Sequence, residues 1–163
     1  LEAYLKERNI KLETAKKYCK EVHYSCKGNH YFAIGLQNDS GGWELRNKYY
    51  KSSSSPKDIT FLHNGCQQLV VTEGMFDFLT VVNFYRDNTS FLILNSLAFM
   101  KKAMKCLELF KHVELYLDSD EAGKKAATWL MQNHKNCIDK SYLYKDYKDV
   151  NEMWIGRKRE NGM

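Results

Sequence analysis

No apolar run in this sequence is long enough to cross a membrane. Nothing within its 163 residues approaches the roughly 18 consecutive apolar positions that a spanning helix needs, and no signal peptide is found. A membrane partner is therefore not expected, and a cytoplasmic location is. Zinc-ribbon spacing is also missing. The five cysteines, Cys19, Cys26, Cys66, Cys106 and Cys137, are odd in number and contain no C-x-x-C pair, so no zinc is expected in this stretch and the thiols are read as reduced. Proline occurs once, as Pro56. It closes "SSSSP" at 52–56, the one low-complexity patch, which is read as a mobile loop. No internal repeat is present. The histidines, His23, His30, His63, His112 and His134, show no ligand spacing and are read as structural. The chain opens at Leu1 rather than Met and is read as a piece of a longer protein.

What is present reads as a globular chain, 44% hydrophobic and 28% charged. Its length suits one domain, or one with a small companion, and allows a real core. The formal charge of +5 permits a polyanionic partner without requiring one.

Along the chain the texture changes once. Residues 1–20 read as two helices with a break near Asn9–Lys11. Residues 21–50 carry short alternating runs such as "HYFAIGL", with "NDSGG" at 38–42 as a strong turn, and predict a small antiparallel sheet. A boundary is expected near 64–66, giving an N-terminal α+β subdomain over 1–65 and a second domain over 66–163. Beyond it strands alternate with helices. "QQLVVTEG", "SFLILNS", "HVELYLD" and "SYLYK" read as strands. "MFDFLTVVNFYRD", "AFMKKAMKCLELFK" and "EAGKKAATWLMQNH" read as the intervening helices, and "DVNEMWIG" starts a last one. "IGRKRENG" is read as a solvated tail. The expected fold is α/β, a four-stranded, mainly parallel sheet flanked by helices. Its strands are nearly continuous apolar runs, as they must be when both faces are covered.

In such a sheet, functional groups gather outside the carboxyl ends of the strands. Glu73 ends the first strand, Asn95 and Ser96 the second, Asp118 the third, with Asp120 just beyond, and Asp149 follows the fourth. Asp77 lies one helical turn after Glu73. Glu73, Asp77, Asp118 and Asp120 are thus candidates for one acidic pocket, whose hard oxygens suit Mg²⁺ or Mn²⁺. The plainer reading of Asp118-Ser119-Asp120 is a helix cap with acids in the first turn. The joint pattern of two acidic blocks favours the metal. Separately, Trp43, Tyr49 and Tyr50 stand among Arg46, Lys48 and Lys51. They read equally as a stacking and phosphate-tracking surface for single-stranded nucleic acid and as a half-buried sheet face with solvated lysines.

"VVTEGMFDFLT", "FLILNS" and "VELYLDSDEAGKKAA", in this order and spacing, resemble the Toprim domain shared by DnaG-type primases, topoisomerases and some nucleases. The resemblance covers about residues 67–155. "GGWELRNKYYKSSSSPKDITFLHNG" and "YLKERNIKLETAKKY" are similar to segments leading into that domain in the primases. This implies a Toprim-like catalytic core of a primase. Glu73, Asp77, Asp118 and Asp120 fall on the family's metal site and Asp149 on a later acidic motif, with one or two Mg²⁺ or Mn²⁺ ions. Glu73, Asp118 and Asp120 would be catalytic. Arg46, Lys48 and Tyr49, together with Lys51, would meet nucleotide phosphates or template. Two positions depart from the family: Asn151 replaces a carboxylate, and Asn64 stands where the family has Lys.

The implied activity is metal-dependent RNA primer synthesis from NTPs on a single-stranded DNA template, a nucleotidyl transfer. A helicase or other replication protein would be engaged through parts outside this chain. The alternatives are a Toprim nuclease, with water as nucleophile, and a non-catalytic nucleic-acid-binding module of a mobile-element protein.

Overall fold

The computed structural model describes residues 1–160. Two short helices open the chain, α1 (Glu2–Glu7) and α2 (Leu12–Tyr18). They are separated at Asn9, which takes a left-handed backbone, φ 54°, a conformation Asn tolerates better than most residues. Four strands follow, β1 (Lys20–Cys26), β2 (Asn29–Gln37), β3 (Trp43–Arg46) and β4 (Lys51–Ser53). They form an antiparallel sheet in sequential order. The two-residue β1–β2 turn has positive φ at both Lys27 (49°) and Gly28 (79°), the twist that suits a tight hairpin. The period-2 alternation in β2 sends Ile34 and Leu36 into the core. Tyr31, Ala33 and Gly35 face the other way.

The second sheet has five strands, not the four expected. They are β5 (Thr60–Leu62), β6 (Gln68–Thr72), β7 (Ser90–Ile93), β8 (His112–Tyr116) and β9 (Cys137–Asp139), in the order β5-β7-β6-β8-β9. The pairings β6–β7, β6–β8 and β8–β9 are parallel, and β5 joins the β7 edge antiparallel. The extra strand lies before the boundary expected at 64–66. It is held from the first sheet, where the Asp39 carboxylate accepts from Phe61 N–H and the Gln37 carbonyl from the Thr60 hydroxyl.

Helices α3 (Met75–Val81), α4 (Met100–Leu107), α5 (Glu121–Asn133) and α6 (Val150–Glu160) cover this sheet. On one side Leu69, Val71, Leu92, Leu94, Val113 and Leu115 pack with residues of α4 and α5. On the other Val70, Phe91 and Ile93 meet α3 and α6, and Ile34 and Leu36 of the first sheet join the same core. At roughly 1.5–3 kcal/mol for each large side chain buried, this shared core binds the two sheets into one body.

Three local expectations are corrected. "SYLYK" is not a strand. Ser141–Tyr144 forms a 3₁₀ turn because the Tyr144 side chain is buried, its hydroxyl donating to the Leu117 carbonyl at 2.8 Å, while Asp139 accepts from the amide and hydroxyl of Ser141. "SSSSP" is not a free loop. Its first two serines lie in β4, and the Pro56 carbonyl accepts from Asn38 Nδ2 at 2.8 Å. Gly42 sits so close beneath that a Cβ there would lie 2.0 Å from that carbonyl. The last helix runs through Glu160, so the expected tail is helical as far as it is described, and 161–163 lie outside the described residues.

Candidate active site

Parallel pairing brings the ends of β6 and β8 side by side, with Thr72 opposite Tyr116. Glu73 and Asp118 therefore leave the sheet at the same edge. Beyond Asp118, the Ser119 hydroxyl donates to the Tyr147 carbonyl and its amide to the Lys148 carbonyl, at 2.7 Å. This latch draws the segment ahead of α6, and with it Asp149, to the same place.

Asp120 and Asp149 both start helices. Asp120 Oδ1 accepts from Gly123 N–H at 2.9 Å, and Asp149 Oδ1 from Glu152 N–H at 2.7 Å. Glu152 reaches back to the amide of Lys148 at 2.6 Å, close to a reciprocal capping box. Gly123 is required by packing, since a Cβ there would lie 2.0 Å from the Asp118 carbonyl oxygen. The first turn of α5 thus rests directly on the backbone that carries Asp118.

The carboxylates are electrostatically crowded. Burial, then the charge of Asp118, raises Glu73 above its usual range. Asp118 is raised by burial and by Asp149, against the opposing pull of Lys148, whose Nζ lies 3.4 Å away. Asp77 is buried on α3 and raised well above the usual range by burial, then by Asp149 and Asp118. Glu73 Oε2 and Asp77 Oδ1 are buried without a hydrogen-bond partner. Leaving such oxygens unpaired is costly, and a hard divalent cation would satisfy them. In chemistry the donor set fits Mg²⁺ or Mn²⁺. As they stand, no three His, Cys, Asp or Glu side chains among the described residues are grouped to hold an ion.

A cleft of about 750 Å³ lies between the first sheet and the segment that follows β7, lined by Arg46, Lys51, Lys57, Asn95 and Ser96 and by one carboxylate, Glu44. Arg46 is partly buried, and burial lowers its pKa against the raising charges of Glu44, Tyr4 and Asp77. The charge of Lys51 lowers Glu73. Two of the four residues expected from the sequence to meet nucleotide or template, Arg46 and Lys51, thus lie within electrostatic reach of the carboxylates. The other two do not line the cleft: Lys48 pairs with Glu7 at 2.9 Å, and Tyr49 projects into solvent. Trp43 is half-buried over Gly35.

Sequence reasoning missed Lys57, which the docked Pro56 segment carries to the cleft. It also missed Asp58, a buried carboxylate gripped by Lys102 Nζ at 2.5 Å and by the Ser40 hydroxyl. A lysine and an aspartate beside the sole proline were the available signal. Asn151 is held through its amide nitrogen, while its Oδ1 is buried without a partner. Fully buried, it donates through Nδ2 to the Arg8 carbonyl (2.9 Å) and the Thr80 hydroxyl (2.8 Å). A carboxylate cannot donate either bond, which accounts for Asn here. Asn64 likewise donates to the Thr89 carbonyl at 2.8 Å.

No curated protein matches the sequence. Among solved structures, the chain resembles the primase fragment of the bacteriophage T7 primase-helicase protein, with a TM-score of 0.68 and 23% identity over 96% of this chain and 69% of that one. It also resembles a chain of the T7 complex in which lagging-strand DNA polymerase interacts with primase domains bound to an RNA/DNA hybrid and dTTP. There the TM-score is 0.64 and the identity 24%, over 96% of this chain and 86% of that one. The zinc-binding and RNA polymerase domains of Aquifex aeolicus primase match at a TM-score of 0.56 and 16% identity, over 80% of this chain and 45% of that one. Residues 1–55 match a domain of unknown function. Residues 70–154, which carry Glu73, Asp77, Asp118, Asp120 and Asp149, match the Toprim-like family, and the chain belongs to that family.

Proposed function

We propose that the chain is a primase-like nucleotidyltransferase domain that makes RNA primers on single-stranded DNA with the help of divalent metal. The observation that carries this reading is the crowding of Glu73, Asp77, Asp118 and Asp149 past the ends of β6 and β8, with Arg46 and Lys51 of the neighbouring basic cleft near enough for their charges to meet Asp77 and Glu73. The likeness to T7 primase chains, one of them in a complex with an RNA/DNA hybrid and dTTP, supports it.

Glu73, Asp118 and Asp120 would hold one or two Mg²⁺ or Mn²⁺ ions, with Asp77 beneath and Asp149 beside them. When bound, such an ion neutralises charge on the transferring phosphoryl group and orients the attacking and leaving oxygens. Arg46, Lys51 and Lys57 draw the nucleotide triphosphate into the cleft, and burial of Arg46 strengthens its hold on a phosphate oxygen. Lys148, 3.4 Å from Asp118, offsets part of the acidic charge of the cluster.

One observation favours the non-catalytic module instead. Asp120 and Asp149 already serve as caps, and among the described residues no three His, Cys, Asp or Glu side chains are grouped to hold an ion. Incubation with labelled NTPs on single-stranded template separates the readings. Template-dependent oligoribonucleotides are expected. Cleaved template would indicate the nuclease, and neither product the binding module.

Metal binding is tested apart from activity. At about a hundred times its dissociation constant, Mn²⁺ stabilises the native state by about 2.7 kcal/mol. For a chain of this size that raises the melting temperature by roughly 5–10 °C. The rise is expected in wild type and should be much smaller in Asp118→Asn, with EDTA as the reference for both. An equal shift in the two proteins removes Asp118 from the ligand set.

A further inference from the structure

The outer face of the antiparallel sheet carries an aromatic ladder that the cleft does not use. Tyr24 and Tyr31 are cross-strand partners whose rings stack at 5.4 Å, 22° from parallel. Tyr50 meets Tyr31 edge-on at 5.8 Å, and Tyr49 follows at 6.4 Å. Tyr49 is 78% exposed and Tyr50 55%.

The ladder is rigidly mounted. Asn47 Oδ1 accepts from the amides of both Tyr49 and Tyr50, each at 2.9 Å, and its Nδ2 donates to the Phe32 carbonyl at 3.1 Å. The β3–β4 turn is thereby bolted to β2. On the same face, beside the rings, Val22, Trp43 and Leu45 close over Gly35, where a Cβ would lie 2.5 Å from Val22. Little ordering entropy remains to be lost on binding, which favours affinity.

The charge on this face is one-sided. The register puts Lys20, Val22, Tyr24, Tyr31, Ala33, Trp43, Leu45 and Ser52 on it. The two carboxylates in these strands, Glu21 and Glu44, fall on the opposite face with Arg46 and Lys51. Lys27 stands in the hairpin turn, three residues after Tyr24 and four before Tyr31. Exposed aromatic rings, cations at the margin and no strand carboxylate on this face, the one acid near the turn, Glu7, being paired with Lys48, match a flexible polyanion with π-faces.

We propose that this ladder binds single-stranded nucleic acid outside the cleft, with bases stacked on Tyr49 and Tyr50 and the phosphate backbone drawn by Lys20 and Lys27. The inference rests on the primase reading only for the class of partner. It gives the chain a second contact with the strand, on the far side of the sheet from the carboxylates.

The test is fluorescence anisotropy with labelled oligo(dT), oligo(rU) and a duplex of equal length. Wild type is compared with Tyr49→Ala/Tyr50→Ala and Tyr49→Phe/Tyr50→Phe. The alanine pair should bind single strands about five- to a hundredfold more weakly. The phenylalanine pair should bind as wild type. The loss should stay constant as salt is raised, because stacking releases no counterions. Should the alanine pair melt early, Tyr49→Ala alone, at the most exposed ring, takes its place. Unchanged binding, an equal loss on duplex, or a changed self-association without any loss of oligonucleotide binding would overturn the ladder as a single-strand site. Primer synthesis is measured on the same samples. Inactive wild type with tyrosine-dependent binding sinks the primase reading alone, and active wild type with tyrosine-independent binding sinks the ladder alone.

Discussion

Glu73→Gln is expected to lower primer synthesis roughly a hundredfold or more, the scale of losing a group that holds a catalytic metal, without loss of stability in EDTA. Glu73 ends β6 opposite the end of β8, with Oε2 buried and unpartnered and its ionised form disfavoured by burial and by Asp118. Gln keeps the shape and removes the charge. Metal-free protein then loses one member of a repelling cluster, so its melting temperature should stay level or rise. Its gain on adding Mn²⁺ should shrink together with activity. Retained activity would take Glu73 out of the chemistry. Lost activity with an unchanged Mn²⁺ response would make it a group that acts on substrate rather than on metal.

Asn151→Asp is expected to cost about 3–5 kcal/mol, the scale for a buried charge left without compensation, and to lower the melting temperature by roughly 10 °C or more. The substitution restores the family's carboxylate and would be innocuous if the position faced a metal. Here the side chain is fully buried and holds Arg8 and Thr80 through two donated bonds. The new carboxylate would set oxygens against two acceptors close to Asp77, whose ionised form is already disfavoured. Urea unfolding with and without Mg²⁺ checks this. A penalty that magnesium removes would make position 151 a ligand position after all.

The site's skeleton was legible because it depends on where strands end. "QQLVVTEG" and "HVELYLD" have apolar runs that stop at Glu73 and Asp118, and parallel pairing then forces the two together. Capping was legible too, as the plain reading of Asp-x-Asp, and Asp120 does cap α5. What failed was whatever depended on contacts distant in sequence. Residues 59–62 favour a strand by residue type but are too few to predict one alone, and they pair because Asp39 and Gln37 hold them to the first sheet. "SYLYK" alternates like a strand, but burial of Tyr144 under Leu117 overrides the pattern. Arg46, Lys48, Tyr49 and Lys51 look like one patch in the sequence. The turn between β3 and β4 sends Arg46 and Lys51 toward the carboxylates and Tyr49 away from them.

The grip of Lys102 and Ser40 on Asp58 has a mechanical side. Asp58 follows the cleft residue Lys57, Ser40 belongs to the first sheet's turn, and Lys102 to the helix behind the second sheet. With Asn151 tying Arg8 to Thr80 elsewhere, the two halves are riveted at separate points around a shared core, and the gap between them has a set gauge. A gap of set gauge keeps its basic wall, Arg46, Lys51 and Lys57, in place before anything enters, so binding there requires little free energy for rearranging the protein.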